Sequence, residues 1–564
     1  MTTLTGIPAS SGAAVGPFFV LNTNIPVATG QPSDKGFEAE GHALNLAIKN
    51  VGADLEARAA RTTGELQEIL LATAEIATDP AIAEEAAGFI ASGHTASYAM
   101  VKATEVFQEL LAASGGYLAE RVSDVANIRD RVLCEIAGIA YPEIPKFEVP
   151  TVLIAQDLSP ADTADLETDK ILAIVTVGGG PTSHTAIIAR SNGIAAIVAC
   201  PGVVDAAMVN AGGTVAIDAT KGQVTFNPDL ALKAEIASVI EKIKQRKSRV
   251  ITRSAEGYVT TDGKVVPIYA NIGRVEDTVA AVAAGADGVG LLRTELLYLD
   301  RNDAPTLLEQ TAIYTELFNP FNGKKVVIRT LDAGADKPMA FINFDQEPNP
   351  ALGVRGYRTI GGHEDLLRTQ LQAIAAAAKA TTAEVWVMAP MVTLPGEAAA
   401  FVSMAREYGL NKAGVMIEVP AAIFHADEIT KVCDFVSIGT NDLGQYLHAA
   451  DRESAPLAGF NDPWQPALLR AVHLVAQAGI KNNCPVGVCG EAASDAALGS
   501  VLVGLGVSSL SCSVATLTDV AQAVTAHSLQ QLVLAGNVAI AANTAQDAKN
   551  SARSQLSELV NLGL

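Results

Sequence analysis

Apolar residues recur along the chain in two different rhythms. From about Asp34 to Glu143 they return at three- and four-residue spacings, as in EAEGHALNLAIKNVGADLEARAAR and EVFQELLAAS, which predicts helices with one buried stripe. Ahead of that block, GIPASSGAAVGPFFVL alternates small and apolar residues and predicts a strand with a Gly-rich turn. After YPEIPKFEVP, whose prolines break the helical rhythm, the runs TVLIA, KILAIVTV, AAIVA and TVAIDA predict a compact α/β body ending near Asn227. ALKAEIASVIEKIKQRKSR then reads as a charged amphipathic helix connecting two bodies. From Pro267 onward, VPIYANI, DGVGLL, KVVIRTL, VWVMAPM, GVMIEV, DFVSIGT, VGVCG and SSLSC alternate with helical segments. Eight buried-strand runs in about 300 residues predict a (β/α)8 barrel, with a doubly wound open sheet as the alternative.

Composition narrows this layout. At 564 residues the chain is too long for one ordinary core and should be multidomain. Hydrophobic residues at 49% with aromatics at only 5% suit Ala/Val-rich helices and parallel strands, so the fold class is α/β. A net charge of −22 repels nucleic acid and anionic membrane surfaces, so neither is expected as a partner. There is no basic leader ahead of an apolar stretch and no run of apolar residues long enough to span a bilayer, so a soluble, cytoplasmic protein without membrane insertion is expected. Six cysteines without a CxxC pair point to reduced thiols rather than disulfides or structural zinc. The block from Asp34 to Glu143 holds 18 acidic and 8 basic side chains. It is either a solvated helical surface or a docking face for a basic protein.

Residues with chemistry fall at the C-terminal ends of the barrel runs: Arg293 after DGVGLL, Arg329 in VVIRTLD, Glu418 in VMIEVP, Asn441 and Asp442 after VSIGT, and Cys489 in VGVCGE. That rim is where barrel active sites are built, and a charge closing an apolar run is costly if merely buried. Arg293, Arg329, Arg355 in NPALGVRGYR and Arg452 in TNDLGQYLHAADRE make a guanidinium set in an otherwise acidic chain, with Lys337 as a further cation. One such arginine reads equally as a structural salt bridge; four point to a multiply charged anion, because planar forks bind phosphate and carboxylate bidentately. Glu418 and Asp442 supply two carboxylates, a count suited to Mg2+. A second constellation follows KILAIVTV in GGGPTSHTAIIAR, where glycines permit a tight turn, Pro181 and Thr182 lead into a helix and His184 falls in its first turn. Alone, a histidine at a helix start is more often structural. As a neutral imidazole beside an anion-receiving helix end it can also attack phosphorus and carry a phosphoryl group. None of the other seven histidines has a comparable Gly-rich setting.

GGGPTSHTAIIAR resembles the phosphohistidine signature of the phosphoenolpyruvate-utilising enzymes. GVGLLRTELLYLDR, LDAGADKP, NPALGVRGYR, GVMIEVPAA, DFVSIGTNDLGQYLHAADR and GVCGEAA resemble that family's substrate-binding barrel. In length and domain order the chain is most similar to the branch that feeds the bacterial phosphoenolpyruvate:sugar phosphotransferase system. The resemblance implies a swivelling α/β phosphohistidine domain over 1–20 and 144–228, and an inserted helical domain over 21–143 that binds the phosphocarrier HPr. A linker helix over 229–255 and a phosphoenolpyruvate-binding (β/α)8 barrel over 256–564, which also forms a homodimer, complete the implied layout. It further implies that Arg293, Arg329, Asn441, Asp442 and Arg452, helped by Arg355 and Lys337, bind phosphoenolpyruvate, and that Glu418 and Asp442 hold Mg2+. His184 would take the phosphoryl group and Cys489 would protonate the departing enolate. A dikinase of the same family would need an upstream ATP-binding domain, for which this chain offers no Gly-rich nucleotide loop. A catalytically silent regulatory homologue is the other alternative.

Overall fold

Runs of β-branched residues become parallel strands where both of their faces can be covered, and the chain achieves this in two units, Met1–Glu241 and Lys242–Leu564. The computed structural model describes residues 1–21, 25–26, 28, 30, 32–61, 65–114, 122–163, 166–180, 183–248, 251–298, 301, 303–333, 339, 341–342, 347–451, 457 and 459–564.

In the first unit the strands are β1 (Thr2–Thr5), β2 (Ile7–Ser10), β3 (Ala13–Leu21), β4 (Thr151–Ala155), β5 (Ile171–Thr176), β6 (Ala195–Val198), β7 (Thr214–Asp218) and β8 (Gln223–Phe226). They form one sheet in the order β1-β8-β7-β3-β4-β5-β6-β2. β3 pairs antiparallel with β7 and parallel with β4, and so joins an antiparallel half to a parallel one. The first residues make three strands rather than the single strand and turn their sequence suggests. Gly6 allows this, because a Cβ there would lie 2.6 Å from the Ile197 side chain in β6. Between β3 and β4 the described helices are Phe37–Ala59, Glu65–Ala77, Pro80–Ala91, Ala96–Ser114 and Val122–Ala137. Their buried stripes, including Leu44, Leu55, Leu70, Ile82, Met100 and Ile128, meet in a separate core.

The second unit opens with the short hairpin β9 (Tyr258–Val259) and β10 (Val265–Val266). Then follow β11 (Ile268–Ile272), β12 (Gly288–Leu292), β13 (Lys325–Arg329), β14 (Glu384–Ala389), β15 (Ala413–Ile417), β16 (Phe435–Ile438), β17 (Val486–Val488) and β18 (Ser509–Ser513). These eight strands coincide with the eight apolar runs, and parallel pairing of β11 with β18 closes them into a barrel, which rules out the open sheet. Leu291, Val327, Trp386, Met388, Met416 and Phe435 fill the interior. Beyond β18 the chain adds helices Leu517–Thr525, Leu529–Ala541, Ala545–Gln555 and Glu558–Leu562, which the sequence reading did not resolve. The connecting helix runs from Leu230 to Ser248. Its buried Arg246 donates to the carbonyls of Leu562 (3.2 Å) and Gly563 (3.0 Å) and to Asp519 (3.1 Å), so its last turns belong to the second unit. All six cysteines are free thiols, and no described helix is long and apolar enough to cross a membrane.

Barrel closure leaves little room at Gly414 in β15, where a Cβ would lie 2.2 Å from the Phe435 carbonyl oxygen of its register partner. Gly414→Ala is therefore expected to destabilise the barrel by about 1–3 kcal/mol, seen as a lower thermal midpoint by calorimetry; an unchanged midpoint would contradict the tight pairing.

A candidate active site at the barrel mouth

Each strand delivers its functional side chain as it leaves the barrel. Arg293 follows Leu292 at the end of β12, Arg329 is the last residue of β13, Glu418 follows Ile417 of β15 and Cys489 follows Val488 of β17. Asn441 and Asp442 lie in the first turn of the helix Thr440–His448, which Gly439 alone separates from β16. Asn441 accepts a hydrogen bond from the Glu491 backbone N–H at 2.9 Å and so ties the loop after Cys489 to that helix. Gly490 permits the approach, since a Cβ there would meet Thr440 Oγ1 at 1.9 Å.

Within this mouth the buried arginines are already engaged. Arg329 reaches Glu295 at 2.7 Å and Asp332 at 3.2 Å. Arg355 reaches Asp442 at 3.1 Å, Asp332 at 3.5 Å and the Tyr446 hydroxyl at 3.2 Å. Asp332 therefore bridges the two guanidinium groups, and all of these charged residues are buried. Burial opposes the charge on Arg329, but Glu295, Asp332 and Glu418 outweigh it and hold the guanidinium above its ordinary pKa. Arg293, by contrast, is exposed and has no carboxylate partner among the described residues. The reading of four equivalent rim arginines is thus revised. Arg293 is open, Arg329 and Arg355 are held between carboxylates, and Arg452 and Lys337 lie outside the described residues. Sequence reasoning missed Glu295 and Asp332, although each stands two or three positions after a flagged arginine in a segment already singled out, Glu295 after Arg293 and Asp332 after Arg329.

Glu418 is 1% exposed, and one of its carboxylate oxygens accepts the Met391 backbone N–H at 2.7 Å. Burial, with Asp442 and Asp332 nearby, pushes its pKa up to about 8. Met391 delivers its N–H from a left-handed backbone conformation, φ 58°, which is unusual for a residue with a side chain. Cys489, 4% exposed, lies close to the Ile438 carbonyl, its sulfur 3.6 Å away. Burial pushes its thiol up to about 11, against Ser437, Arg329 and Arg293, which pull the other way, so sulfur carries its proton at neutral pH.

In the first unit, His184 opens the helix His184–Ser191, and the side chain of Ser183 caps it by accepting from the Ala186 N–H. The His184 side chain, Pro181 and Thr182 lie outside the described residues. Behind the glycine turn, Asp157 accepts from the Leu158 N–H at 2.9 Å and faces the Thr185 hydroxyl at 3.5 Å.

The buried mouth contains four carboxylates, Glu295, Asp332, Glu418 and Asp442, against two guanidinium groups, Arg329 and Arg355. Among the described residues no three potential ligands converge on one point. Two carboxylates plus substrate oxygens and water is nonetheless the set a hard divalent cation such as Mg2+ accepts, and the mouth holds four buried carboxylates against two guanidinium groups. The donor set therefore fits a divalent cation.

Such a mouth is that of a (β/α)8 barrel with its charged residues gathered at the C-terminal ends of the strands. The chain belongs to the PEP-utilising enzymes: models of that family match its N-terminal domain over residues 5–121, its mobile domain over 147–222 and its PEP-binding domain over 247–529. It is 43% identical over 560 residues, 99% of both chains, to the phosphoenolpyruvate-protein phosphotransferase of Streptomyces coelicolor. It is 37% identical, over 83% of both chains, to that of Haloferax volcanii, and 34% identical, over 91% of both, to that of Geobacillus stearothermophilus. Enzymes of this family are generally metal dependent.

Because Glu418 binds its proton more tightly folded than unfolded, it favours the folded state less as pH rises from its ordinary value of 4.5 through about 8. In metal-free melts, Glu418→Gln should remove this loss, so that the variant gains on the parent as pH approaches and passes 8. Added Mg2+ should raise the melting point of the parent and not of the variant. Parallel pH profiles for the two proteins would contradict the assignment.

Proposed function

We propose that the chain acts as a phosphoenolpyruvate-protein phosphotransferase whose reaction begins in the barrel mouth and passes through His184. Arg293, Arg329 and Arg452 bind the phosphate and carboxylate of phosphoenolpyruvate, with Asn441, the Asn441 and Asp442 backbone N–H groups, Arg355 and Lys337 as further contacts. Glu418 and Asp442 are the residues that hold Mg2+, which when bound offsets negative charge on the substrate phosphate. The His184 imidazole attacks phosphorus, the bridging P–O bond breaks, and pyruvate leaves as its enolate. The Cys489 S–H then protonates the methylene carbon, which completes the ketone and makes the transfer hard to reverse. The observation that carries this reading is the placement, in one buried mouth, of Arg329, Glu418, Asp442 and a thiol that keeps its proton.

From phospho-His184 the group passes to the histidine of the small phosphocarrier HPr, the first step of sugar uptake by the phosphotransferase system in the cytoplasm. The acidic helices between residues 34 and 143, which leave Leu46, Leu71 and Leu110 exposed, support the docking of a basic carrier there. One histidine serves both barrel and carrier, so the phosphohistidine domain over 1–20 and 144–228 swings between them about the segments near residues 143–150 and 228–255. The barrel unit is the homodimer contact in this reading.

After incubation of the full chain with phosphoenolpyruvate and Mg2+, mass spectrometry should find a single phosphoryl group on His184, and His184→Ala should carry none and release no pyruvate. Cys489→Ala should lower pyruvate formation at least about 100-fold. Phosphorylation at another residue, or self-phosphorylation by a fragment ending near residue 250, would overturn this division of labour.

A further inference from the structure

A buried thiol that protonates the enolate has to be reprotonated before the next turnover, and the strand residues just below Cys489, Gly487 and Val488, border a second cavity. Ser437, the third residue of β16, pairs in register with Gly487 of β17, two positions before Cys489, so the two side chains share the inward face. The same Ser437 borders a cavity of about 30 Å3 at the opposite, N-terminal end of the barrel, with Ser509, Ser511, Tyr269, Trp386 and Lys325 around it. That volume has room for about two water molecules. Inward-facing hydroxyls are out of keeping with an interior otherwise made of Leu291, Val327, Met388, Met416 and Phe435. They line a track along the cavity, in which the Ser511 hydroxyl donates to Asn271 at 2.6 Å.

Lys325 stands at the outer end of that track as the first residue of β13. Its ammonium lies 3.5 Å from the centre of the Trp386 ring and 5.3 Å from that of Tyr269. Among the described residues it has no ion-pair or hydrogen-bond partner. Burial pushes its pKa down to about 8; Lys412, just ahead of β15, pushes the same way, and Glu384 of β14 opposes them. An amine of this kind gives up a proton near neutral pH far more readily than an ordinary lysine does.

We propose that Lys325, the cavity and Ser437 form a proton relay that recharges Cys489 from the N-terminal end of the barrel. The inference rests on Cys489 being the acid of the reaction. After the S–H proton has gone to carbon, the thiolate takes the Ser437 hydroxyl proton, the serine oxygen takes one from a water in the cavity, and that water takes one from the Lys325 ammonium. Solvent at the N-terminal opening returns the proton to the amine. Only S–H, O–H and N–H bonds form and break, and one proton crosses per turnover.

Gly487 of β17 provides a test that touches neither acid nor substrate. A Cβ there would lie 3.1 Å from Ser509 Oγ and 3.9 Å from Ser437 Oγ, so a methyl group enters the track without a severe clash. In the full chain supplied with phosphoenolpyruvate, Mg2+ and a phosphocarrier, Gly487→Ala and Ser437→Ala should slow steady-state pyruvate formation about tenfold or more, while the first phosphorylation of His184 keeps its rate. Turnover of the parent should fall as pH rises through about 8, where Lys325 loses its proton. Lys325→Arg keeps the charge and the ring contact but releases no proton there, so it should be slow and lack that limb; a purely structural lysine would tolerate the change. Parental rates and pH profiles in all three variants, with Cys489→Ala inactive, would overturn the relay and leave the acid in place. Full activity in Cys489→Ala would overturn both.

Discussion

Two guanidinium groups facing four carboxylates in one buried space set the conditions for everything else at the barrel mouth. Arg329 and Arg355 share Asp332 between them and use Glu295 and Asp442 as their second partners, so each is held rigidly. Glu418 is left outside these pairs, and its burial, with Asp442 and Asp332 nearby, makes it bind a proton more tightly. Removing one partner of a buried pair strands the other charge at a cost of about 3–5 kcal/mol, which ties the five paired residues into a single electrostatic unit. The excess of carboxylates is what makes the mouth suit a dication, while the exposed Arg293 keeps one guanidinium without a carboxylate partner among the described residues.

Keeping that unit in place requires backbone conformations that the chain would not otherwise choose. Met391 sits at φ 58°, at a cost of about 1–2 kcal/mol. The hydrogen bond from its N–H to the Glu418 carboxyl contributes about 1.5–3 kcal/mol when the acceptor is charged, enough to offset the strain. Gly356, at φ 56°, leaves space where a Cβ would press on the Met391 side chain and on Asp332. Gly439 does the same beside Glu418, where a Cβ would lie 2.5 Å from the carboxylate. The glycines and the strained methionine act together, because each makes room for a buried carboxylate to reach its partner.

The barrel was legible because a parallel strand covered on both faces reads as an unbroken apolar run, and all eight runs became strands. Its rim was legible for a related reason: a charge closing such a run is conspicuous, and Arg293, Arg329, Glu418 and Cys489 all stand at or just beyond strand ends. The pairings were not legible. Nothing in the spacing of Arg355 and Asp442, 87 positions apart, announces that they meet at 3.1 Å, and Glu295 and Asp332 gain their meaning only from the arginines they hold. The opening residues were misjudged in the other direction, since close packing at Gly6 divides one apparent strand into pieces. The three inward serines resembled ordinary strand filler until their place beneath Cys489 was visible.

The two ends of the barrel carry opposite charge, and this gives the interior a direction. Lys325 and Lys412 stand near Trp386 at the N-terminal end with Glu384 as the nearby carboxylate, whereas the C-terminal mouth has its excess of buried acids. The five residues of β13 separate Lys325 from Arg329 by about 13 Å at the usual rise of a strand. Across that span one unit charge acts on another with about 1 kcal/mol at an effective dielectric constant of about 20. The sum over the charges at each end draws protons from the lysine end toward the thiol and disfavours the reverse. In the proposed reaction this charge asymmetry favours a step that must follow phosphoryl transfer, recovery of the proton on Cys489.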